Sequence, residues 1–538
     1  MRIDFYKIKY KWTKITKEKL TIYVHGTIFK NNKILNDNDL FKYLKDNDSD
    51  LTKLFSKLNG FFTVLIINDG NVRIISDRIR LFPLWYEITN DKLTISDDIT
   101  KLNISNSDID EISSLEFQMT GYVCGKRTLL KNIFQTEAGQ ILNINNGQEK
   151  SSNYYQFGHS EIKFFSEDNF YSYAHDKFLN SINRLISYAN GRQIVIPLSG
   201  GYDSRLILYY LKLLRYKNIF TFSYGEANNI EVSIAKEIAK SLNVHWEYII
   251  YNKQDWDNVH NLRRKYEAYS SSYSSQSHVQ DFLAIYKLKE NNLIEKDSVI
   301  SPGHSYDMQA GNHLPTDILT YSSYSKDILF SKIYDRHFNI DPILMRKKRK
   351  LINENLKRDN QINFKLNRTT FASYFELWDW RERQVKFICN AVRTYDFFGY
   401  DYWLPLWDND ALEICSKVPL DYRINRRWFT RYVDTYLASK MKDYNIPNKY
   451  TKDPVLTMKL FYLATRLNII KPLRIIRLIF RELFVKNYSI IKQSYFVLNG
   501  IDSIFIFKYV LKGFETVGIY NKFIYNLIIN SLKKHEIK

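Results

Sequence analysis

Six residues constrain this chain more than any others: Ser199-Gly200-Gly201-Tyr202-Asp203-Ser204, set between an apolar run and a helical one. Ile194-Val195-Ile196-Pro197-Leu198 reads as a buried parallel strand, and 205–214 reads as a helix. Strand, tight Gly-Gly turn and helix start make an anion cradle: backbone N–H groups converge and the helix N-terminus adds partial positive charge. Ser199 and Ser204 supply hydroxyls. Asp203 is out of place beside an anion unless a cation joins the two. The turn lacks the lysine of a G-x-x-x-x-G-K-[ST] phosphate loop, and its Asp suits Mg²⁺. A plain Ser/Gly turn is the bland alternative; six matched positions in a strand–turn–helix context count against it.

The surroundings repeat that grammar. Ile219–Ser223, His245–Ile250 and Ser298–Ser301 read as further strands. A helix between the first two carries Ile230, Ile234, Ala235, Ile238, Ala239 and Leu242 on one face. Strands alternating with helices imply a doubly wound α/β parallel sheet, whose ligand site lies beyond the carboxyl ends of the strands. The loops 199–204, 223–226 and 302–307 should therefore converge. Before residue 150 the pattern differs: short strands such as Thr21–His25, Phe61–Ile67 and Val72–Ser76, the last two joined as a hairpin at Asn68-Asp69-Gly70-Asn71. The polar stretch Asn145–Ser152, continued to about Glu161, reads as a linker. The expected organisation is an N-terminal α+β sandwich over 1–150, the α/β domain over 165–455 and a basic helical extension over 456–538.

With 45% apolar residues and 16% aromatics, little of the chain is expected to be disordered. Cys124, Cys389 and Cys415 form no CxxC and no metal spacing, which fits a reducing cytoplasm. The N-terminus has no signal-peptide core, and no apolar stretch is long enough to span a bilayer. The net charge is +20, and residues 451–538 hold 15 Lys/Arg against 5 Asp/Glu. A basic tail can meet nucleic acid, an anionic membrane or a polyanionic substrate. Within it, Arg474, Arg477 and Arg481 form one stripe of an amphipathic stretch over 459–486. That leaves two readings: peripheral membrane contact, or an outer helix packed on the core with its arginines solvated.

The hexapeptide resembles the pyrophosphate loop of enzymes that split ATP between its α and β phosphates. Three regions together resemble the asparagine synthetase family. One is Leu198–Ser204 with Thr221-Phe222-Ser223-Tyr224-Gly225; the others are Gly303-His304-Ser305-Tyr306-Asp307 with Gly311, and Leu404-Pro405-Leu406-Trp407-Asp408. Leu58-Asn59-Gly60-Phe61-Phe62, Asp77-Arg78, Pro83-Leu84-Trp85-Tyr86 and Ser96-Asp97 resemble that family's glutamine-amidotransferase domain. The family's nucleophilic N-terminal Cys is missing: residue 2 is Arg, and a guanidinium is no nucleophile. The resemblance therefore implies a glutaminase-like domain without glutaminase activity. It also implies an ATP- and Mg²⁺-dependent ligase that adenylates a carboxylate and forms an amide with ammonia or a substrate amine.

Carried over residue by residue, the resemblance implies that Ser199, Gly200, Gly201 and Ser204 cradle pyrophosphate. Asp203 and Asp307 would hold Mg²⁺, and Leu198, Ser223 and Gly303 would meet the adenosine. Lys452, or else Lys449, would stabilise the phosphates. His304 replaces the family's usual Glu and Met308 the Glu after its Asp. His304 is a candidate base for an incoming amine, or a histidine that merely bonds within its loop. Arg383 and Asn390, seven apart on an expected helix, are candidates for a substrate carboxylate or for an ordinary helix–helix contact. Asparagine, an amidated sugar acid and a cyclised metabolite or peptide all remain open as products, so the substrate is a small-molecule, saccharide or peptide carboxylate. Two other classes compete: an ATP-binding scaffold without catalysis, and a tRNA-modifying enzyme. Paired cysteines for sulfur transfer are absent, which counts against nucleic acid as partner.

Overall fold

The computed structural model describes most of residues 2–444, isolated positions between 498 and 514, and residues 516–535. Lys449, Lys452 and the amphipathic stretch 459–486 lie outside the described residues.

The N-terminal part is two packed sheets. Arg2–Tyr6, Lys92–Ser96, Trp85–Thr89 and Phe134–Gln135 form one. The larger sheet is built on Leu20–Lys30, Leu58–Asn68, Asn71–Ser76 and Gln140–Asn145. Leu65, Val72, Ile74 and Leu142 meet Tyr86, Leu93 and Ile95 between the sheets. Phe62, Val64 and Ile66 face the other way, onto Leu40, Phe41, Leu54 and Phe55 of two helices. Both faces of the strand are thus covered, which is why Phe61–Ile67 is almost continuously apolar. The expected hairpin forms: Asn68 pairs with Asn71, and Asp69 and Gly70 both take positive φ.

The stretch read as a linker is instead partly a strand. Gln148–Asn153 pairs along its length with Gln140–Asn145 through the turn at Asn146-Gly147. All six of its residues are exposed, so an edge strand shows no apolar alternation to read.

The second part carries a five-stranded parallel sheet in the order His245–Ile250, Ile219–Gly225, Ile194–Pro197, Val299–Ile300, Asp401–Tyr402. The strand order reverses beside Ile194–Pro197. With right-handed crossovers the helices fall on both faces of the sheet, and a crevice opens at that reversal. The loops after the two strands flanking it are 198–204 and 301–307.

The two parts are joined by hydrogen bonds. The Val123 and Leu129 N–H groups donate to the carbonyls of Ser274 and Tyr273, at 2.9 and 2.8 Å. Asp408 caps the helix Asn409–Lys417, takes two hydrogen bonds from buried Arg184 and a third from Asn59 of the N-terminal part. The Leu404–Asp408 segment is therefore a structural joint. A late helix, Thr516–His535, packs on Glu111–Thr120: Tyr525 and Ser114 hydroxyls lie 2.6 Å apart, and Asn521 donates to the Phe117 carbonyl. Its Tyr520 hydroxyl donates to Glu267 of the second part. No helix among the described residues is long and apolar enough to cross a membrane.

Candidate active site

A cavity of about 510 Å³ opens at the strand-order reversal. Leu198, Ser199, Gly201, Asp203, Ser204, Ser223, Gly303, His304 and Asp307 line it, so most of the residues singled out from sequence meet in one place. Gly200 is not among the lining residues; its carbonyl accepts from Arg205 at 3.0 Å.

The loop holds its own shape. The Gly201 N–H donates to Ser199 Oγ at 3.1 Å, and the Ser199 N–H donates to Ser204 Oγ at 3.2 Å. Gly201 has φ −74, so no left-handed backbone explains it. Size matters more at Gly303, where a Cβ would sit 2.6 Å from the Ser204 nitrogen and 2.9 Å from Asp203 Cβ. The two loops cross too closely for any side chain there. The helix Tyr202–Leu213 has no side-chain N-cap, and its first residues Tyr202, Asp203 and Ser204 line the cavity.

Leu198 and Ser223 are tied to each other: the Ser223 hydroxyl donates to the Leu198 carbonyl at 2.7 Å and accepts from Trp246 Nε1 at 3.0 Å. The Ser223 hydroxyl is thus already committed.

Asp203 is half-buried, and its Oδ1, itself buried, has no hydrogen-bond partner. Burial, and then the neighbouring Asp307, push its carboxyl up to about 7. Burial alone would raise Asp307 as well, but His313 beside it brings it below its ordinary value. Two facing carboxylates, one with an orphaned oxygen, suit a divalent cation. Among the described residues no cluster of three or more His, Cys, Asp or Glu forms a metal site. A Mg²⁺ here would take its remaining oxygens from phosphate and water, as that ion usually does.

His304 lines the cavity with its Nδ1 unpartnered. Burial, helped by neighbouring His278, pushes it down to about 3. The ring is neutral at pH 7 but weakly basic, which suits hydrogen bonding better than proton abstraction. Arg383 and Asn390 are absent from the cavity lining. Asn390 donates to the Ser270 carbonyl at 2.9 Å. The expected α-helix is a π-helix over Trp380–Ile388, followed by a 3₁₀ turn, Cys389–Val392. Its wider i→i+5 winding removes the shared face that a seven-residue spacing gives an α-helix.

Several residues escaped sequence reading. Arg426 lines the cavity over the Tyr202 ring, 5.7 Å from its centroid. It and Asn425 both have left-handed backbone, φ 50 and φ 56. That conformation costs a non-glycine residue about 1–2 kcal/mol. Such strain persists where surrounding structure imposes it, commonly at functional sites. His313 stands 3.7 Å from Asp307 and 2.5 Å from Asp379. Asp281, also lining the cavity beside Tyr395, is raised to about 6 by burial. None of these belongs to the loop motifs. The signals present in the sequence were only a histidine two residues beyond Gly311 and a basic run at Arg426-Arg427.

Among comparisons with known proteins, the family model described as queuosine biosynthesis protein QueC matches residues 192–282, the loop-bearing part of the parallel sheet. This supports the pyrophosphate-loop ATP pyrophosphatases as a superfamily; it does not single out the asparagine synthetases. No curated protein matches the sequence. Three solved structures are similar at low identity. The B. subtilis glutamine phosphoribosylpyrophosphate amidotransferase complexed with ADP and GMP is 11% identical (55% of this chain, 64% of that one, TM-score 0.19). The NH3-dependent NAD synthetase from Campylobacter jejuni is 14% identical (39% and 93%, TM-score 0.20). The glutamine-dependent NAD+ synthetase from Acinetobacter baumannii is 12% identical (61% and 86%, TM-score 0.20). The chain spans less than two thirds of the amidotransferase. Superpositions at that level define neither a fold nor an activity for this chain.

Proposed function

We propose that this chain is an ATP-dependent enzyme that splits ATP between its α and β phosphates to activate a carboxylate, then forms an amide with ammonia or an amine. One observation carries the reading: the Ser199–Ser204 loop, an orphaned Asp203 oxygen, Asp307 and Arg426 face one cavity at the strand-order reversal. A substrate carboxylate oxygen attacks the α-phosphorus, pyrophosphate leaves, and the amine nitrogen then displaces AMP from the acyl carbon. Uncapped helix N–H groups and the Arg426 guanidinium would meet the negative charge of the departing pyrophosphate. Asp203 and Asp307 would hold Mg²⁺, which supplies charge neutralisation of the phosphates. Neutral His304 would orient the acceptor by hydrogen bonding. The N-terminal part would pack as a scaffold and leave glutamine untouched, for want of a nucleophile at residue 2.

The match to the queuosine-biosynthesis model favours a second reading, the same ATP chemistry directed at a modified-nucleoside precursor or RNA. One assay separates the two. Pyrophosphate release is measured with ATP and Mg²⁺ against carboxylic acids, including aspartate and uronic acids, with ammonium or glutamine supplied separately and RNA in a parallel arm. Release with an acid and ammonium, but not with glutamine, and lost in Asp203→Ala, supports the ligase. Release that requires RNA moves the assignment to the second reading. Support by glutamine removes the scaffold role of the N-terminal part.

A further inference from the structure

The neighbours of Asp307 form a linear arrangement with an unassigned role. Asp307 sits in a four-residue helix, Tyr306–Gln309, entered through Ser305 at φ 67. Its Oδ1 accepts from the Met308 N–H at 2.8 Å, and its Oδ2 lies 3.7 Å from His313 Nε2. The other ring nitrogen, His313 Nδ1, is 2.5 Å from Asp379 Oδ2, and Gln384 Nε2 donates to Asp379 Oδ1 at 2.9 Å. Asp379 and Gln384 are fully or almost fully buried, and His313 is 8% exposed. Asp379 is the last residue of the helix Arg368–Asp379, where the chain widens into the π-helix Trp380–Ile388. Local π-winding is frequent at functional sites, because it re-aims side chains out of the α-helical register.

We propose that His313, held by Asp379 and Gln384, is a positioning residue that fixes the Asp307 carboxylate for a phosphate-bound divalent cation. This rests on the reading of the cavity as an ATP site. Asp379 fixes the ring through Nδ1, so Nε2 must face Asp307. With Oδ1 taken by Met308 and Oδ2 facing the ring, the Asp307 carboxylate plane is held from both sides, next to the Asp203 carboxyl that its own N–H bonds. Outer partners of this kind commonly change metal affinity by about 10–100-fold when removed. A merely structural histidine would affect stability and leave cation affinity alone.

The test is Mn²⁺ binding to the full chain, followed by the loss of free-Mn²⁺ EPR signal, with α,β-methylene ATP present. Nucleotide binding in EDTA serves as the metal-free reference. His313→Ala should bind Mn²⁺ at least about 10-fold more weakly, with EDTA binding unchanged. His313→Gln, whose amide N–H reaches toward the Nε2 position, should recover most of that loss, and Asp379→Asn should fall between. A folded His313→Ala with wild-type Mn²⁺ affinity overturns the proposal. If that variant does not fold, Asp379→Asn decides in the same way: weaker Mn²⁺ binding supports it and unchanged binding overturns it. Failure of the wild-type chain to bind the nucleotide at all overturns the ATP-site reading and this proposal together, so the two failures are distinguishable.

Discussion

Asp77 is a buried carboxylate and Asp203 a half-buried one, and burial raises both to about 7. In the N-terminal part, Asp77 is surrounded by donors: the N–H groups of Phe62, Ile79 and Leu81 bond it at 3.1, 2.7 and 3.1 Å. In the cavity, Asp203 keeps an oxygen with no partner. The same electrostatic perturbation therefore marks a structural joint in one region and a ligand position in the other. What separates them is whether the surrounding chain has already supplied the partners. A perturbed carboxylate identifies a site only when it also faces open space.

The sharpest way to break this comparison is to truncate both. Asp203→Ala should lower pyrophosphate release by roughly 100–1000-fold while costing less stability than the Asp77 truncation, since one of its oxygens has no partner to lose. Asp77→Ala should do the reverse, costing roughly 3 kcal/mol in urea unfolding, because several buried N–H groups lose their acceptor. Parallel losses of activity and stability in both variants would erase the distinction. Next in size, Gly303→Ala should force the crossing loops apart and reduce turnover by about 100-fold, with the fold retained by circular dichroism. Wild-type turnover in that variant would mean the loop crossing is not needed.

Arg426→Gly should separate stability from function. Release of pyrophosphate should drop about 10-fold or more, and stability should rise by about 1 kcal/mol as the left-handed strain is relieved. A variant that is both less active and less stable would show that Arg426 is held for packing. The smallest effect is a slope. Unfolded Asp titrates near ~4, whereas Asp77 and Asp203 do so at about 7 in the folded chain. Between those values the native state binds more protons, so this contribution to stability is full at low pH and is lost as pH rises through about 7. Asp77→Asn and Asp203→Asn should each make the dependence of Tm on pH less steeply falling between about pH 4 and 7. Curves of unchanged slope would remove these two groups from the account.

The parts of the site that could be read from sequence were those written in short range. Ser199–Ser204 announces itself because strand, turn and helix start fall within a dozen residues, and Gly303–Asp307 repeats the arrangement on the neighbouring strand. His313, Asp379 and Arg426 could not be read in this way. Asp379 ends an α-helix where the winding changes to hold its partner Gln384, Arg426 follows a second left-handed residue, and neither event leaves a periodic trace. The same winding removed the shared face expected for Arg383 and Asn390. In the fold, strands buried on both faces were legible as apolar runs. The exposed edge strand Gln148–Asn153 and the two-residue strand Asp401–Tyr402 offered no alternation long enough to detect.

The pairing of Ser114 with Tyr525 spans 411 positions of sequence. Translation at about 5–20 residues per second puts roughly 20–80 s between the emergence of the two from a ribosome. Throughout that interval Glu111–Thr120 stands without the helix whose Tyr525 ring packs on Phe117 and whose Asn521 donates to the Phe117 carbonyl. Early folding must therefore tolerate an open seam beside the sandwich until the last part of the chain is made.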